Sequence, residues 1–200
     1  EIKFKKLNIT PEELNKINRI VLTACGTSWH ACLVGEYLFE QFVFIPSEVE
    51  YAAEFRYRHP VISPDTLVIA ITQSGETADT LGAVWEAKSR GAKVISICNV
   101  PGSSIARESD GVLLTDAGPE IGVASTKAFT TQLVMLYMLA IYMGKLRGLI
   151  SEDKVKQMVQ DLLEIPAKLE AVLQKDKEVE KLAQKFFKTN NALYLGRGKG

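Results

Sequence analysis

Short apolar runs alternate with segments of helical spacing over the first 115 residues of the chain. Runs rich in β-branched residues predict five strands, at 19–24, 47–51, 66–72, 92–100 and 111–115. The third run, TLVIAIT, has no polar alternation, which is typical of a strand buried on both faces of a parallel sheet. Apolar residues at helical spacing between the runs predict helices, so the pattern indicates an α/β fold with helices on both faces of a five-stranded parallel sheet.

The two ends of the chain follow other patterns. A capping box at Thr10 to Glu13, with proline at the first helical position, predicts a short helix over 11–18. Residues 125–146 are apolar nearly all round and predict a central buried helix. Two amphipathic helices are predicted after it, the first of them interrupted at Pro166.

The last residues set the predicted domain organisation. The segment ALYLGRGKG at 192–200 resembles the strand-to-glycine pattern of IVLTACG at 20–26, which predicts the first strand of a second, truncated copy. A tail strand at the sheet edge is the alternative. We therefore expect an N-terminal helix and linker at 1–18, a first domain at 19–150, a helical connection packing on it at 151–190, and the start of a second domain at 191–200.

The turn QSGET at 73–77 joins the most apolar predicted strand to the helix after it. The first N–H groups of a helix lack intrahelical partners and carry the positive end of the helix dipole, so this turn can bind an anion. Ser74 and Thr77 add hydroxyl donors. Gly75 lets the backbone approach a ligand closely.

Two observations limit what this turn can bind. It has no lysine, and the chain contains neither GxxxxGK[ST] nor a complete GxGxxG motif, which disfavours a nucleoside triphosphate or a dinucleotide and leaves a single sugar phosphate. A purely structural interpretation also stays open. In it, Ser74 and Thr77 merely cap the helix, while Glu76 and Asp79 compensate its dipole.

Two further hydroxyl pairs occupy equivalent positions. Thr27-Ser28 follows the first predicted strand, and Ser125-Thr126 opens the long apolar helix. Because ligands of parallel α/β sheets bind outside the carboxyl ends of the strands, we expect the first pair and the turn at 73–77 to lie along that edge. The neighbouring Lys127 and His30 are more typical of solvated surface groups, and metal-ligand spacing is absent.

The composition excludes several classes of protein. The 200 residues are 46% hydrophobic with 24 basic and 24 acidic side chains, as expected of a soluble globular chain of one domain or slightly more. Zero net charge gives no general attraction to nucleic acid or an anionic membrane. The longest apolar run, at 133–143, is short of the roughly 20 residues that span a bilayer, and we expect no signal peptide. Three cysteines without CxxC spacing indicate reduced thiols and a cytoplasmic protein.

Several long motifs together resemble a known family. They are ACGTS at 24–28, EFRYR at 54–58, TQSGETADT at 72–80, ICNVPGSS at 97–104 and EIGVASTKAFTTQ at 120–132. In this order they closely resemble the isomerase region of the glucosamine-6-phosphate synthases, or glutamine–fructose-6-phosphate aminotransferases, over residues 19–200. The resemblance implies the sugar isomerase (SIS) fold, a three-layer α/β/α arrangement with a five-stranded parallel sheet that occurs twice in that family. This chain is similar to the first copy.

The resemblance also implies two groups of substrate-binding residues. The group around the phosphate of fructose 6-phosphate or glucosamine 6-phosphate comprises Thr72, Gln73, Ser74 and Thr77. The group lining the sugar comprises Thr27, Ser28, Val123 and Ser125. At position 72 the commoner family residue is serine; threonine keeps the hydroxyl and adds a methyl group that can tighten the pocket.

What the resemblance implies about activity exceeds what this chain is expected to do alone. In that family, ring opening, addition of ammonia at C2 and a proton shift from C1 to C2 depend on catalytic residues in the second SIS copy and the C-terminal tail. Ammonia comes from an N-terminal glutaminase domain. We therefore expect no catalytic residue within this chain, which should bind phosphosugar without completing catalysis. No cofactor or metal is implied.

The implied setting is hexosamine and UDP-N-acetylglucosamine biosynthesis in the cytoplasm. The implied partners are the second SIS lobe, the glutaminase domain and a second subunit of a homodimer. Arg56 and Arg58 lie in a polar stretch that fits either a subunit contact or ordinary surface. Two other functions stay open: a regulatory, non-catalytic phosphosugar-binding module, and a folding or dimerisation unit whose turns are merely capped.

Overall fold

The structure, a computed structural model, describes residues 2–122 and 125–198. The chain divides into two compact units, Glu1–Ser151 and Glu152–Gly200. The first unit contains the sheet and all three predicted hydroxyl-bearing turns. The predicted domain boundaries, including the packing of 151–190 on the first domain, stay predictions.

The sheet confirms the predicted fold class. Its strands are β1 (Arg19–Ala24), β2 (Ser47–Tyr51), β3 (Thr66–Ile71), β4 (Lys93–Cys98) and β5 (Gly111–Leu114). All neighbouring strands are parallel, in the order β2-β1-β3-β4-β5. The helices of this unit are α1 (Pro11–Asn15), α2 (Thr27–Val43), α3 (Ala52–Tyr57), α4 (Ala78–Ser89), α5 (Ser104–Glu108) and α6 (Lys127–Leu146).

The central strand β3 shows how the helices divide between the two faces of the sheet. Side chains alternate along a strand, so Leu67, Ile69 and Ile71 join one core cluster with residues of α1, α2 and α6. Val68 and Ala70 join the other cluster, with residues of α3, α4 and α5. Every residue of β3 is buried, as the absence of polar alternation predicted.

Helix α6 packs closely along α2. An added Cβ on Gly35 of α2 would lie 2.6 Å from Leu22 Cδ2 and 3.0 Å from Leu136 Cδ2, so glycine permits this approach. The predicted central buried helix is confirmed in part, because α6 buries one face in the core and leaves the rest half-buried or exposed. Helix α6 is long and apolar enough to cross a membrane, judged by length and composition alone. In the fold, 39% of its most apolar 18-residue stretch is buried, and the core helices of soluble proteins can be equally long and apolar.

The N-terminal segment covers one edge of the sheet. Leu7 forms an antiparallel bridge with Gly111 of β5, and Val112 N donates to Lys6 O at 3.0 Å. The capping box predicted for α1 is present at Thr10. The helix ends at Asn15, earlier than predicted, because the chain turns into β1. The Asn18 backbone N–H donates to Asp65 O and not to a carbonyl of the helix.

Two predictions for the second unit, which comprises α7 (Glu152–Leu173) and α8 (Asp176–Phe186), are wrong. Helix α7 continues through Pro166. The proline removes one backbone donor and crowds the carbonyl four residues earlier, a local cost that the helical residues on both sides outweigh. Residues 192–198 form no strand, and Leu193 and Leu195 are exposed. The described part of this unit contains helices and irregular segments but no strand, so no neighbouring strand satisfies the backbone groups there. Residues 199 and 200, the end of the predicted strand segment, lie outside the described residues.

Candidate functional site

The candidate site lies where the strand order changes direction. From β1 the chain runs to β2 on one side and then crosses to β3 on the other, so β1 lies between them and Ala24 pairs with Ile71 at their carboxyl ends. Helix α2, after β1, packs on one face of the sheet, and α4, after β3, packs on the opposite face. Such a switch point leaves a crevice between the two helix N-termini, where open α/β sheets bind ligands.

A cavity of about 450 Å³ occupies this crevice. The structure places every predicted site residue that it describes in its wall: Thr27, Ser28, Thr72, Gln73, Ser74, Thr77 and Ser125. The remaining one, Val123, lies outside the described residues. Lys127 and His30 are exposed, and neither is among the described residues that line the cavity.

The turn between β3 and α4 offers hydrogen-bond donors to the cavity. Gly75 N donates to Thr72 Oγ1 at 3.3 Å, and the hydroxyl oxygens of Thr72 and Thr77 lie 3.3 Å apart. Because Thr72 already accepts from the backbone, its proton can bond Thr77, which leaves the Thr77 proton available. Ser74 Oγ accepts from Glu76 N at 3.2 Å, so its proton is available too. A ligand that accepts several hydrogen bonds, such as a phosphate, suits this turn.

The backbone at the start of α4 reinforces this preference. Within the described chain, no side chain caps the helix at Thr77. The Glu76 carboxylate instead accepts from Ser104 N at the start of α5, at 2.8 Å, and this bond lowers its pKa. The Asp79 carboxylate forms an ion pair with Arg56, with 3.8 Å between Asp79 Oδ1 and Arg56 Nη1. The purely structural interpretation of Ser74 and Thr77 as caps therefore loses its main support, since the first N–H groups of α4 have no side-chain partner there.

Gly75 fixes the shape of this turn. Its φ of +72° lies in the left-handed region that favours glycine, and a Cβ there would lie 1.9 Å from Ser103 Oγ and 2.3 Å from Ser103 Cβ. Its carbonyl also accepts from Ile105 N at 3.0 Å. The turn is therefore held against α5 on the side away from the cavity.

The other two turns complete the wall. Helix α2 begins after Gly26, which has a φ of +58° and no side chain to cap it. Ser125 Oγ donates to Glu120 Oε2 at 3.2 Å and accepts from Phe129 N at 3.2 Å. Glu120 Oε1 also accepts from Thr126 N at 2.8 Å, at the start of α6. The carboxylate thus fastens the loop after β5 to Ser125 and Thr126, directly before α6.

Sequence reasoning missed several residues that line the cavity: Cys25, Gly26, Ile71, Thr80, Glu120 and Gly122. Cys25 follows β1 and is half-buried, with Thr80 Oγ1 donating to its Sγ at 3.8 Å. Its position directly after the strand end was the signal for a place in the wall. Glu120 lies within the quoted motif, but its role depends on a loop closure that spacing does not reveal.

The hydrogen bonds of Glu120 predict a pH-dependent stability. The Thr126 backbone N–H lowers the pKa of this carboxyl below its usual 4.5, so its stabilising effect is complete above that value and is lost as pH falls through the folded-state pKa. Glu120→Gln should therefore lower the melting temperature at pH 7, and the difference from wild type should shrink towards zero below the usual carboxyl pKa. Thermal melts at a series of pH values measure this. A difference that stays constant on acidification would contradict it.

Comparison with known proteins supports the resemblance noted from the motifs. The model of the SIS domain matches residues 13–142. The chain belongs to the SIS domain family. Among SIS relatives, it is 50% identical over 198 residues to a glutamine–fructose-6-phosphate aminotransferase (isomerizing) of Clostridium tetani, covering 99% of this chain and 33% of that protein. It is 52% identical over 187 residues to the enzyme of the same name from Chlorobaculum tepidum, covering 94% of this chain and 30% of that protein.

A solved structure of a similar protein has the same fold. The C-terminal domain of glucosamine-fructose-6-phosphate aminotransferase from Francisella tularensis superimposes with a TM-score of 0.91 at 39% identity, covering 94% of this chain and 54% of that one. The predicted family and fold are thereby confirmed. The chain spans about one third of the length of the curated relatives it matches.

Proposed function

We propose that this SIS chain is the phosphosugar-binding lobe of a glutamine–fructose-6-phosphate aminotransferase, the first of two such lobes. The observation that carries the proposal is the turn between β3 and α4, where the hydroxyl protons of Ser74 and Thr77 and the uncapped start of a helix converge on one cavity. Hydroxyl and backbone N–H donors, in a turn that contains no lysine, suit a ligand with a single phosphate group. The names and high identity of the relatives support this ligand class.

The geometry supports one orientation of the ligand. The phosphate of fructose 6-phosphate or glucosamine 6-phosphate lies on the turn at 72–77, and the sugar extends towards Thr27, Ser28 and Ser125, on the other side of the crevice. A cavity of about 450 Å³ is in the size range of small-molecule sites. Val123 belongs to the sugar group of this proposal.

We propose further that the whole protein converts fructose 6-phosphate and glutamine-derived ammonia to glucosamine 6-phosphate. It does so as a cytoplasmic homodimer in hexosamine and UDP-N-acetylglucosamine biosynthesis. Catalysis then requires a second SIS lobe and a glutaminase domain, and this chain binds without completing the reaction. Arg56 and Arg58 are candidates for a subunit contact, although they also have partners within the chain, Asp79 and Glu50.

Calorimetric titration of the chain tests the ligand class. Fructose 6-phosphate and glucosamine 6-phosphate should bind, whereas fructose and glucosamine should bind at least a hundredfold more weakly, because they lose several charge-assisted hydrogen bonds of about 1.5–3 kcal/mol each. Equal affinity for sugar and sugar phosphate, or no binding by a folded sample, would count against the proposal. Formation of glucosamine 6-phosphate from fructose 6-phosphate and ammonia by this chain alone would contradict the expected lack of turnover.

A further inference from the structure

Gln132 is a buried polar side chain of α6 that reaches the cavity wall from behind. It is 1% exposed, and its Nε2 donates to Ser28 Oγ at 3.0 Å. Ser28, which is 8% exposed, lies in the first turn of α2 and lines the cavity. The bond therefore connects a residue outside the cavity to one of the candidate sugar contacts.

Packing alone does not explain a glutamine at this position. In the described part of the chain, the buried Gln132 Oε1 has no hydrogen-bond partner. An unpaired buried acceptor is destabilising, and a methionine of similar length would avoid it. The opposite amide orientation would be worse, because it would leave both N–H groups without an acceptor at the site of the unpaired oxygen. Stability therefore explains why the amide nitrogen faces Ser28, but it does not explain why a glutamine stands at this position.

The direction of this bond determines what Ser28 can offer a ligand. A hydroxyl has one proton and two lone pairs. Because the amide of Gln132 occupies a lone pair of Ser28 Oγ, the proton stays available for an acceptor in the cavity. Ser125 differs, since its proton already bonds Glu120 while its oxygen accepts from Phe129 N. Ser28 can thus donate a proton to a ligand in the cavity, whereas Ser125 can only accept one.

We infer that Gln132 is a positioning residue that fixes Ser28 as a hydrogen-bond donor to an oxygen of the bound sugar. The inference rests on the proposed function, which places the sugar against Ser28. Gln132 acts only through Ser28, because its own amide oxygen is buried behind the wall. The phosphate-binding turn at 72–77 is held by its own backbone bonds and by α5, so the contribution of Gln132 belongs to recognition of the sugar.

A double-mutant cycle on fructose 6-phosphate affinity tests this inference. Gln132→Met keeps the length of the side chain and removes the donor, and should weaken binding about tenfold, the worth of one hydrogen bond. Ser28→Ala should weaken it by a similar factor. The double variant should bind no more weakly than Ser28→Ala, because Gln132 has nothing left to position. A structural role would instead multiply the two losses.

Three results separate the possible failures. Gln132→Met with wild-type affinity, or losses that multiply in the double variant, would overturn the role of Gln132. Failure of the wild-type chain to bind fructose 6-phosphate would count against the proposed function itself. Gln157→Met, at an exposed glutamine of α7, is the matched control and should leave the affinity unchanged. Thermal melts of all variants establish that each sample is folded.

Discussion

Replacing Gly75 with alanine should destabilise the first unit by about 2–5 kcal/mol, the largest stability effect that we expect from a single methyl group in this chain. Two costs add. The φ of +72° disfavours any residue with a Cβ, and the added methyl group would lie 1.9 Å from Ser103 Oγ and 2.3 Å from its Cβ. Neither atom can withdraw cheaply, since Ser103 is buried at the start of α5.

Urea denaturation followed by tryptophan fluorescence measures this loss, because Trp29 and Trp85, the two tryptophans of the chain, both lie in the first unit. Gly118→Ala is the matched control. Gly118 has the same φ of +72°, but an added Cβ would have nothing within 4 Å. It should therefore cost only the backbone part, about 1–2 kcal/mol.

A second change isolates the steric part. Ser103→Gly in the Gly75→Ala background removes both clashing atoms and leaves Ser103 Cα at an ordinary 3.8 Å, so it should recover most of the difference between the two alanine variants. Equal destabilisation at positions 75 and 118 would show that contact with α5 does not constrain the turn.

The order of strands and helices could be predicted because the relevant signals are local. The unbroken apolar run of β3 and the capping box at Thr10 depend only on neighbouring residues. The errors arose where the outcome depends on distant partners. Residues 192–198 have the composition of a strand, but a strand forms only beside another strand. Helix α7 continues through Pro166 because the helical residues on both sides outweigh the local cost of one proline, and the sequence pattern does not show that balance.

The candidate site divides in the same way. The hydroxyl-bearing turns could be predicted because parallel strands bring their carboxyl ends to one edge. The residues that orient those hydroxyls could not, because they come from distant elements. Gln132 and Ser28 are 104 positions apart. Asn99 accepts from both Thr115 Oγ1 and Ala117 N, at 3.0 and 2.9 Å, and so fastens the loop after β5 to the end of β4. An isolated asparagine gives no sign of such a role.

The double substitution Ser74→Ala and Thr77→Ala should weaken fructose 6-phosphate binding by more than a hundredfold. Hydrogen bonds to a charged group are worth about 1.5–3 kcal/mol each, and every 1.4 kcal/mol is a factor of ten in affinity. The fold should change little, because both side chains are half-buried and Thr72 Oγ1 keeps its bond from Gly75 N. Calorimetric titration of the variant and wild type measures the loss.

Each possible result of that titration separates two interpretations of the turn. If Ser74 and Thr77 served the protein mainly as helix caps, their removal would lower the melting temperature and leave the affinity of the folded fraction near the wild-type value. If they bind phosphate, affinity falls while the melting temperature is nearly preserved. Ser89→Ala supplies the control, because its hydroxyl lies at the other end of α4 and donates to Glu86 O. Since Thr77 makes no capping bond to α4, the structure favours the second result.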